Sequence, residues 1–445
     1  MICPSRFVQR SDDPRTALDP PTEPAPARSS PYGRPFWMAY AGNSLITIAV
    51  ALLYRYADFV TLLGGTEFHL GWIVGVGMIG SLLMRFALGS GIDRYGPRRV
   101  WLGSLVLFSL VCFAHLSITT CHGPAIYLLR IALYSSIAGI FGASITFISG
   151  RVPMARMAEL VGMLGTSGFM GMVVGSMLGD LLCSTQAIGR PQMNQLFVLS
   201  GALSLVAIVF AWLATRGSSQ NLRRRRAPIV ALVRRYQPGM VLLVGIAAGA
   251  ALALPATFLR TFAAELGIAR IGLFFAIYSP TAIVTRVVTR RAGETIGLVP
   301  MTLIGLAVLS AGNLLFLSVE AEWQFLFPAI GYGISHAILF PTITASGTGT
   351  FPIRYRGLGT MVILAAFDTG QLFGAPLAGA ILHGSGLIGL PRYPTLFVAM
   401  ACLLGIVGAG YALTTRHGDG PPNRTHRPEP VKRRRKKRRV LAASG

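Results

Sequence analysis

Gly89 to Arg99 reads GSGIDRYGPRR and stands between two long apolar runs. The run before it is interrupted by Arg85, and the run after it begins at Val100. The stretch is short, charged and broken by Gly and Pro. That predicts a water-facing turn that holds two hydrophobic helices side by side. Asp93 precedes Arg94 and stands close to Arg98 and Arg99. One carboxylate among three guanidiniums can make charge-assisted, bidentate bonds. Gly89 and Gly91 permit close helix approach, and Gly96-Pro97 forces the turn. Alone, the stretch also suits an ordinary basic loop, and the rest of the chain decides.

Of the 445 residues, 53% are hydrophobic and 13% charged. Soluble domains are about a quarter charged. With a mean hydropathy of +0.59, the chain reads as an integral membrane protein. Its net charge of +24 suggests nucleic acid until the distribution is considered. The positive residues lie in the tails and in alternate short loops, as in cytoplasmic loops of membrane proteins. Cys3, Cys112, Cys121, Cys183 and Cys402 show no metal spacing and no disulfide framework. The first 34 residues are polar, rich in Pro, Arg, Ser and Asp, and read as disordered, with no cleavable signal peptide.

A helix needs about 20 apolar residues to cross the hydrocarbon. Twelve such runs are present, near 36–57, 70–90, 100–119, 125–149, 160–183, 194–214, 239–262, 271–290, 297–318, 325–350, 357–382 and 394–414. The chain therefore divides into a tail at 1–35, a six-helix bundle at 36–214, a linker at 215–238, a second bundle at 239–414 and a tail at 415–445. The linker carries Arg223 to Arg226 and then Arg234-Arg235. With both termini inside, the inner loops hold Arg94, Arg98, Arg99, Arg151, Arg156, Arg290, Arg291, Arg354 and Arg356. The outer loops hold Arg190, Arg270 and Arg392 beside Asp58, Glu67, Glu265, Glu320 and Glu322. That asymmetry sets an N-in, C-in topology in the cell membrane. The tail run Lys432 to Arg439 suits anionic lipid on the inner face better than nucleic acid.

The halves repeat. Arg85 is followed by Asp93 and Gly96, and Arg286 by Glu294 and Gly297, at the same spacings. Leu53-Tyr54-Arg55 with Asp58 parallels Phe258-Leu259-Arg260 with Glu265. Gly171, Gly175 and Gly179 of the fifth run parallel Gly370, Gly374 and Gly379 of the eleventh. Arg156 and Arg356 stand in the loops entering those two runs. Matches in one order imply a duplicated six-helix unit, the architecture of a rocker transporter with its site between halves.

Over roughly residues 36–415 the chain resembles the major facilitator superfamily. That family carries a Gly-x-x-x-Asp-Arg-x-Gly-Arg-Arg pattern after its second helix. Gly89, Asp93, Arg94, Gly96, Arg98 and Arg99 fit it, with Pro97 inserted. The resemblance implies an all-α membrane protein of twelve transmembrane helices in two parallel six-helix bundles. It also implies that Asp93 and the arginines lock the cytoplasmic side. Arg130 with Gly139, Gly142 and Ala143 resembles the family's proton-linked fourth-helix motif, though Tyr134 replaces a glycine. Gly171, Gly175 and Gly179 resemble the exporter pattern of the fifth helix, with Ser176 and Asp180 replacing a proline and a glycine.

A charge in mid-membrane costs at least about 2.5 kcal/mol and needs a reason. His336 and Asp368 each lie about eleven residues into their runs, near the midplane. They suit proton carriage, while Asp368 bonded to a neighbouring hydroxyl or to His336 for packing alone suits the same placement. Arg130 and Asp180 could pair across helices four and five. Arg85, Arg286 and Glu294 read as parts of the inner gate. Asn43, Tyr127, Tyr134, Tyr278, Tyr332 and Gln371 are polar groups that could meet substrate. The glycines of runs five and eleven read as packing positions. There is no phosphate-binding loop, no nucleophile triad, no metal cluster and no cofactor motif. The sequence thus predicts a monomeric, non-enzymatic secondary transporter for a small-molecule substrate, coupled to protons. Uptake of a small organic metabolite or anion and efflux of hydrophobic compounds compete. A non-transporting sensor or lipid-handling protein is the reading from another class.

Overall fold

The computed structural model describes residues 32–150, 154–183, 188–217, 229–352 and 355–416. Expectations on the first tail, Arg151, Arg223 to Arg226, Arg354 and the Lys432 to Arg439 run lie outside the described residues, as do those on the side chains at Gly89, Asp93, Arg94 and Arg156.

Among the described residues, twelve apolar helices make the body. They are α1 Arg34–Leu62, α2 Glu67–Leu88, α3 Tyr95–Ser117, α4 Pro124–Ser149, α5 Met154–Leu182 and α6 Arg190–Thr215, then α7 Met240–Glu265, α8 Gly272–Val288, α9 Leu298–Ser318, α10 Glu322–Gly349, α11 Arg356–Leu387 and α12 Arg392–Thr415. All but α8 are long and apolar enough to cross a membrane. The eighth run shortens to 17 helical residues, about 25 Å at 1.5 Å per residue. Large apolar side chains such as Leu83, Phe86, Leu110, Val287, Phe373 and Ile406 stand exposed, as a lipid-facing surface requires. The face that carries the start of α1 and the end of α12 is called the terminal face below, and the opposite one the far face.

The opening stretch differs from its expectation. Gly89–Arg94 continue the helix of α2, so two helices meet at a sharp kink with no extended loop between them. Only Gly96 leaves helical geometry, at φ 77° and ψ 156°. Pro97 begins the next helical segment, where its missing N–H costs nothing. A single left-handed glycine therefore replaces the expected loop. Gly297 adopts φ 97° and ψ 156° at the matching place before α9. The repeat seen in residue types is thus also present in backbone conformation.

Packing repeats as well. Helix α1 lies on α5 and α6, as α7 lies on α11 and α12. Helix α3 lies on α6, as α9 lies on α12. A Cβ at Gly171 would sit 2.5 Å from the Thr47 side chain, and one at Gly370 would sit 2.0 Å from Ile246 O. Helices α1 and α7 are both broken on the way to the far face. A 3₁₀ turn over Leu53–Arg55 interrupts α1. In α7 the break falls at Ala253, next to Pro255.

The bundles meet along two antiparallel seams, α2 on α11 and α5 on α8. Glycine sets the first. A Cβ at Gly71 would lie 2.4 Å from Ala375 O, and one at Gly75 would lie 2.5 Å from the Pro376 ring. Gly379, read as a packing position, meets the start of α2 in the opposite bundle, where a Cβ would lie 2.7 Å from Glu67 O.

Candidate functional site

At the far face the seams are closed by charge. Arg55, 2% exposed, ends the 3₁₀ turn of α1 and holds two acids of its own bundle. Its Nε lies 2.9 Å from Asp58 Oδ2 and its Nη1 2.9 Å from Asp180 Oδ1. Asp58 in turn receives Arg260 of α7 at 2.9 Å. Asp180 accepts the backbone N–H groups of Ile271 and Gly272 at 2.9 and 2.6 Å. A carboxylate there caps the orphan amides and the positive dipole end of α8. Arg55 also donates to Ala269 O at 3.4 Å, and Arg260 to Ile268 O at 3.2 Å. A second bridge runs from Arg392 of α12 to Glu67 of α2 at 2.5 Å, with Glu265 at 3.7 Å.

At mid-depth one carboxylate joins the bundles. Asp368 lies twelve residues into α11 and is 7% exposed. Ser81 Oγ donates to its Oδ2 at 2.5 Å, Arg85 Nε to the same oxygen at 2.5 Å, and Arg85 Nη2 to Oδ1 at 3.0 Å. Among the described residues, the ion pairs that join the bundles lie here and at the far face.

The other seam has no such pair among the described residues. Arg286 of α8 stands over the ring of Phe169 of α5, its guanidinium carbon 5.6 Å from the ring centre. The Phe169 ring also meets His336 of α10, with centres 5.7 Å apart. His336 Nδ1 and the Tyr278 hydroxyl are hydrogen-bonded, and Phe340 and Phe367 extend the ring cluster.

Several expected partnerships fall elsewhere. Arg130 does not pair with Asp180. The far end of α5 lies on α1, so Asp180 reaches Arg55, whereas α4 turns Arg130 towards aromatic rings. Arg130 sits 4.0 Å over Tyr56 and 4.9 Å over Tyr134, and donates to the Tyr134 hydroxyl at 3.3 Å. Asp368 meets a hydroxyl as one expectation had it, that of Ser81, but not His336, which Tyr278 takes. Arg85, expected as part of the gate at the helix end, instead reaches across to Asp368. Tyr332 is fully buried inside its bundle, its one hydroxyl proton shared between Asn313 Oδ1 at 2.9 Å and Ala251 O at 3.3 Å, so it is closed to substrate in this structure by burial. Asn43 is buried and donates to Ser144 Oγ at 3.1 Å, with its Oδ1 unpaired. Gln371 is half-buried one turn from Asp368, and Glu294 is exposed with no ion pair among the described residues. Arg98 is half-buried and Arg99 exposed at the start of α3. No group of His, Cys, Asp and Glu among the described residues could hold a metal ion.

Sequence reasoning misses the far-face network, although Arg55 and Arg260 stand out as repeat markers and Asp58, Glu67, Glu265 and Arg392 as outer charges. Ser81 and Phe169 carry no signal of their own.

The family model described as Major Facilitator Superfamily matches residues 36–269 and 240–444. A relative from Escherichia coli strain K12, named "Uncharacterized MFS-type transporter YhhS", is 24% identical over 398 residues, 88% of this chain and 92% of that protein. Among solved structures, the nucleoside transporter NupG superposes with a TM-score of 0.69 at 13% identity, covering 87% of this chain and 100% of that one. A D-xylose-proton symporter superposes with a TM-score of 0.67 at 15% identity, covering 85% and 96%.

Proposed function

Because the chain belongs to the major facilitator superfamily and is a multi-pass secondary transporter, we propose that it moves a small organic solute by alternating access coupled to protons. The observation that carries the coupling is Asp368. Among the described spans it is the one acid more than ten residues from either end. Its carboxylate ties α11 to Arg85 and Ser81 of the opposite bundle. A proton delivered to that carboxylate removes the charge that holds Arg85 and frees the α2–α11 seam. Such a residue links the protonation state of one group to the relation of two bodies, which is what coupling requires.

On this reading the far face is the outside, and the structure is the state closed there by the Arg55, Asp58, Asp180 and Arg260 network. The Gly89 to Arg99 stretch is the corresponding lock on the inside, with Asp93 as its acid. The basic tail rests on anionic lipid. Efflux of hydrophobic compounds by proton antiport is the second reading, supported by the ring cluster of Phe169, Tyr278, His336, Phe340 and Phe367.

The test uses proteoliposomes with an imposed pH gradient and a panel of radiolabelled metabolites. Wild-type protein moves a solute with the gradient, and Asp368→Asn folds but loses gradient-driven movement. Full gradient-driven transport by Asp368→Asn would remove Asp368 from the mechanism. The direction of flux separates uptake from efflux.

A further inference from the structure

The two seams are related by the repeat, yet their central groups do not match. Arg85 and Arg286 hold the same place, each eleven residues before a left-handed glycine, Gly96 or Gly297. Gly171 and Gly175 of α5 correspond to Gly370 and Gly374 of α11 at an offset of 199 residues. The same offset sets Phe169 where α11 has Asp368. Arg85 therefore finds a carboxylate across its seam, and Arg286 finds a phenyl ring.

Arg286 is left short of partners. Its Nε is buried with no hydrogen bond, and no described acid forms an ion pair with it. It lies fourteen residues along α8, about 21 Å from the far end at 1.5 Å per residue. A guanidinium at that depth is costly without a counter-charge. The ring of Phe169 offers it a weak quadrupole contact and no acceptor.

Helix α5 leaves room beside it. Gly165 is exposed, and a Cβ there would meet nothing nearer than Arg286 Nη1 at 3.9 Å. A Cβ at Gly168 would meet nothing within 4 Å. Beyond the guanidinium stand flat apolar surfaces, Phe169 and then His336 and Phe340.

We propose that Arg286 receives the carboxylate of the transported solute, and that this solute is an organic carboxylate with a planar apolar body. The guanidinium fork matches a carboxylate in two parallel bonds. One cation, with no second cation in contact with it among the described side chains, suits one negative charge. The rings suit an aromatic or other flat body. The solute's carboxylate thus takes, in the α5–α8 seam, the place that Asp368 fills in the α2–α11 seam. This rests on the transport reading above and adds the chemical class of the cargo.

The test measures binding by the full chain in lipid nanodiscs, with no gradient, as a rise in unfolding midpoint. The probes are benzoate and phenylacetate, set against the neutral isosteres benzamide and phenylacetamide. The carboxylates raise the midpoint and the amides do not. Arg286→Gln weakens the carboxylates roughly tenfold to a hundredfold, the loss expected for charge-assisted bonds, and Arg286→Lys keeps part of the response. Phe169→Asp supplies the acid that the repeat lacks, pairs with Arg286 in place of the solute, and abolishes the response in a chain that still folds. Equal responses to acids and amides, no response to either acid, or carboxylate responses that survive both Arg286→Gln and Phe169→Asp would overturn the proposal. Carboxylate binding without gradient-driven movement in either direction by wild-type protein would instead sink the coupling reading and leave the carboxylate site standing.

Discussion

Replacing Asp368 by Asn should open the far face. The carboxylate accepts three described hydrogen bonds across the α2–α11 seam, two of them from one guanidinium. Asparagine keeps the shape and one carbonyl acceptor but loses the charge and one of the paired oxygens. A hydrogen bond to a charged group contributes about 1.5–3 kcal/mol and a neutral one about 0.5–1.5. The two bonds from Arg85 therefore lose about 2–3 kcal/mol together. The Arg85 side chain is 21% exposed, so water recovers part of that loss and the lower figure applies. A change of about 2 kcal/mol is a factor of roughly 30 in the ratio of far-closed to far-open molecules. Spin labels at Leu62→Cys and Ile388→Cys, both exposed at the far face, report that ratio by electron–electron distance measurement, with exposed Cys402 first changed to Ser. In the Asp368→Asn variant the long-distance population grows about thirtyfold relative to the short one. A distance distribution identical to wild type would refute the assignment of Asp368 as the group that ties the bundles together.

Other perturbations act on separate parts. Asp180→Asn leaves the Ile271 and Gly272 amides with a weaker acceptor and Arg55 with one charge fewer, so far-face labels separate further and the unfolding midpoint falls, by about 3 kcal/mol in stability if the pair behaves as a buried one. A normal midpoint with unchanged distances would show that the network is ornamental. Gly71→Leu cannot be accommodated against Ala375 O, so it holds the far face open and stops turnover while leaving each bundle folded; transport at the wild-type rate would refute the close approach. Gly96→Ala must adopt φ 77° with a Cβ, which costs about 1–2 kcal/mol, and Gly297→Ala should cost a similar amount because it shares that conformation. Thermal unfolding of the two single variants checks both, and a cost at one site only would break the equivalence of the two turns.

Most of the architecture is legible in the sequence because a bilayer leaves few choices. Twelve apolar runs, their charged connections and the repeat follow from composition and spacing, and the two left-handed glycines repeat as their neighbours in sequence do. The side-chain partnerships are not legible in the same way. Asp180 pairs on paper with Arg130 because both stand near the outer ends of consecutive helices. Depth along a helix is readable from residue count, but azimuth between helices is not, and α5 lies on α1. Arg55 and Arg260 are visible as a repeated pair, yet Arg260 takes its acid from the other bundle, so no window along the chain could show that Asp58 serves the two of them. Asp368 and Arg85 are 283 residues apart, and only the antiparallel register of α2 on α11 brings them together. Phe169 is the instructive case. Its offset from Asp368 follows from the spacing of the glycines in the fifth and eleventh runs alone. A missing acid has meaning only once the arginine opposite it is known to be unpaired, because the same Phe–Asp mismatch in a helix facing lipid would be silent. The repeat states which groups ought to correspond, and the seam shows which correspondence has been given up. A fully symmetric pair of salt bridges would leave Arg286 as occupied as Arg85, so the proposed cargo site depends on a place where the two halves differ.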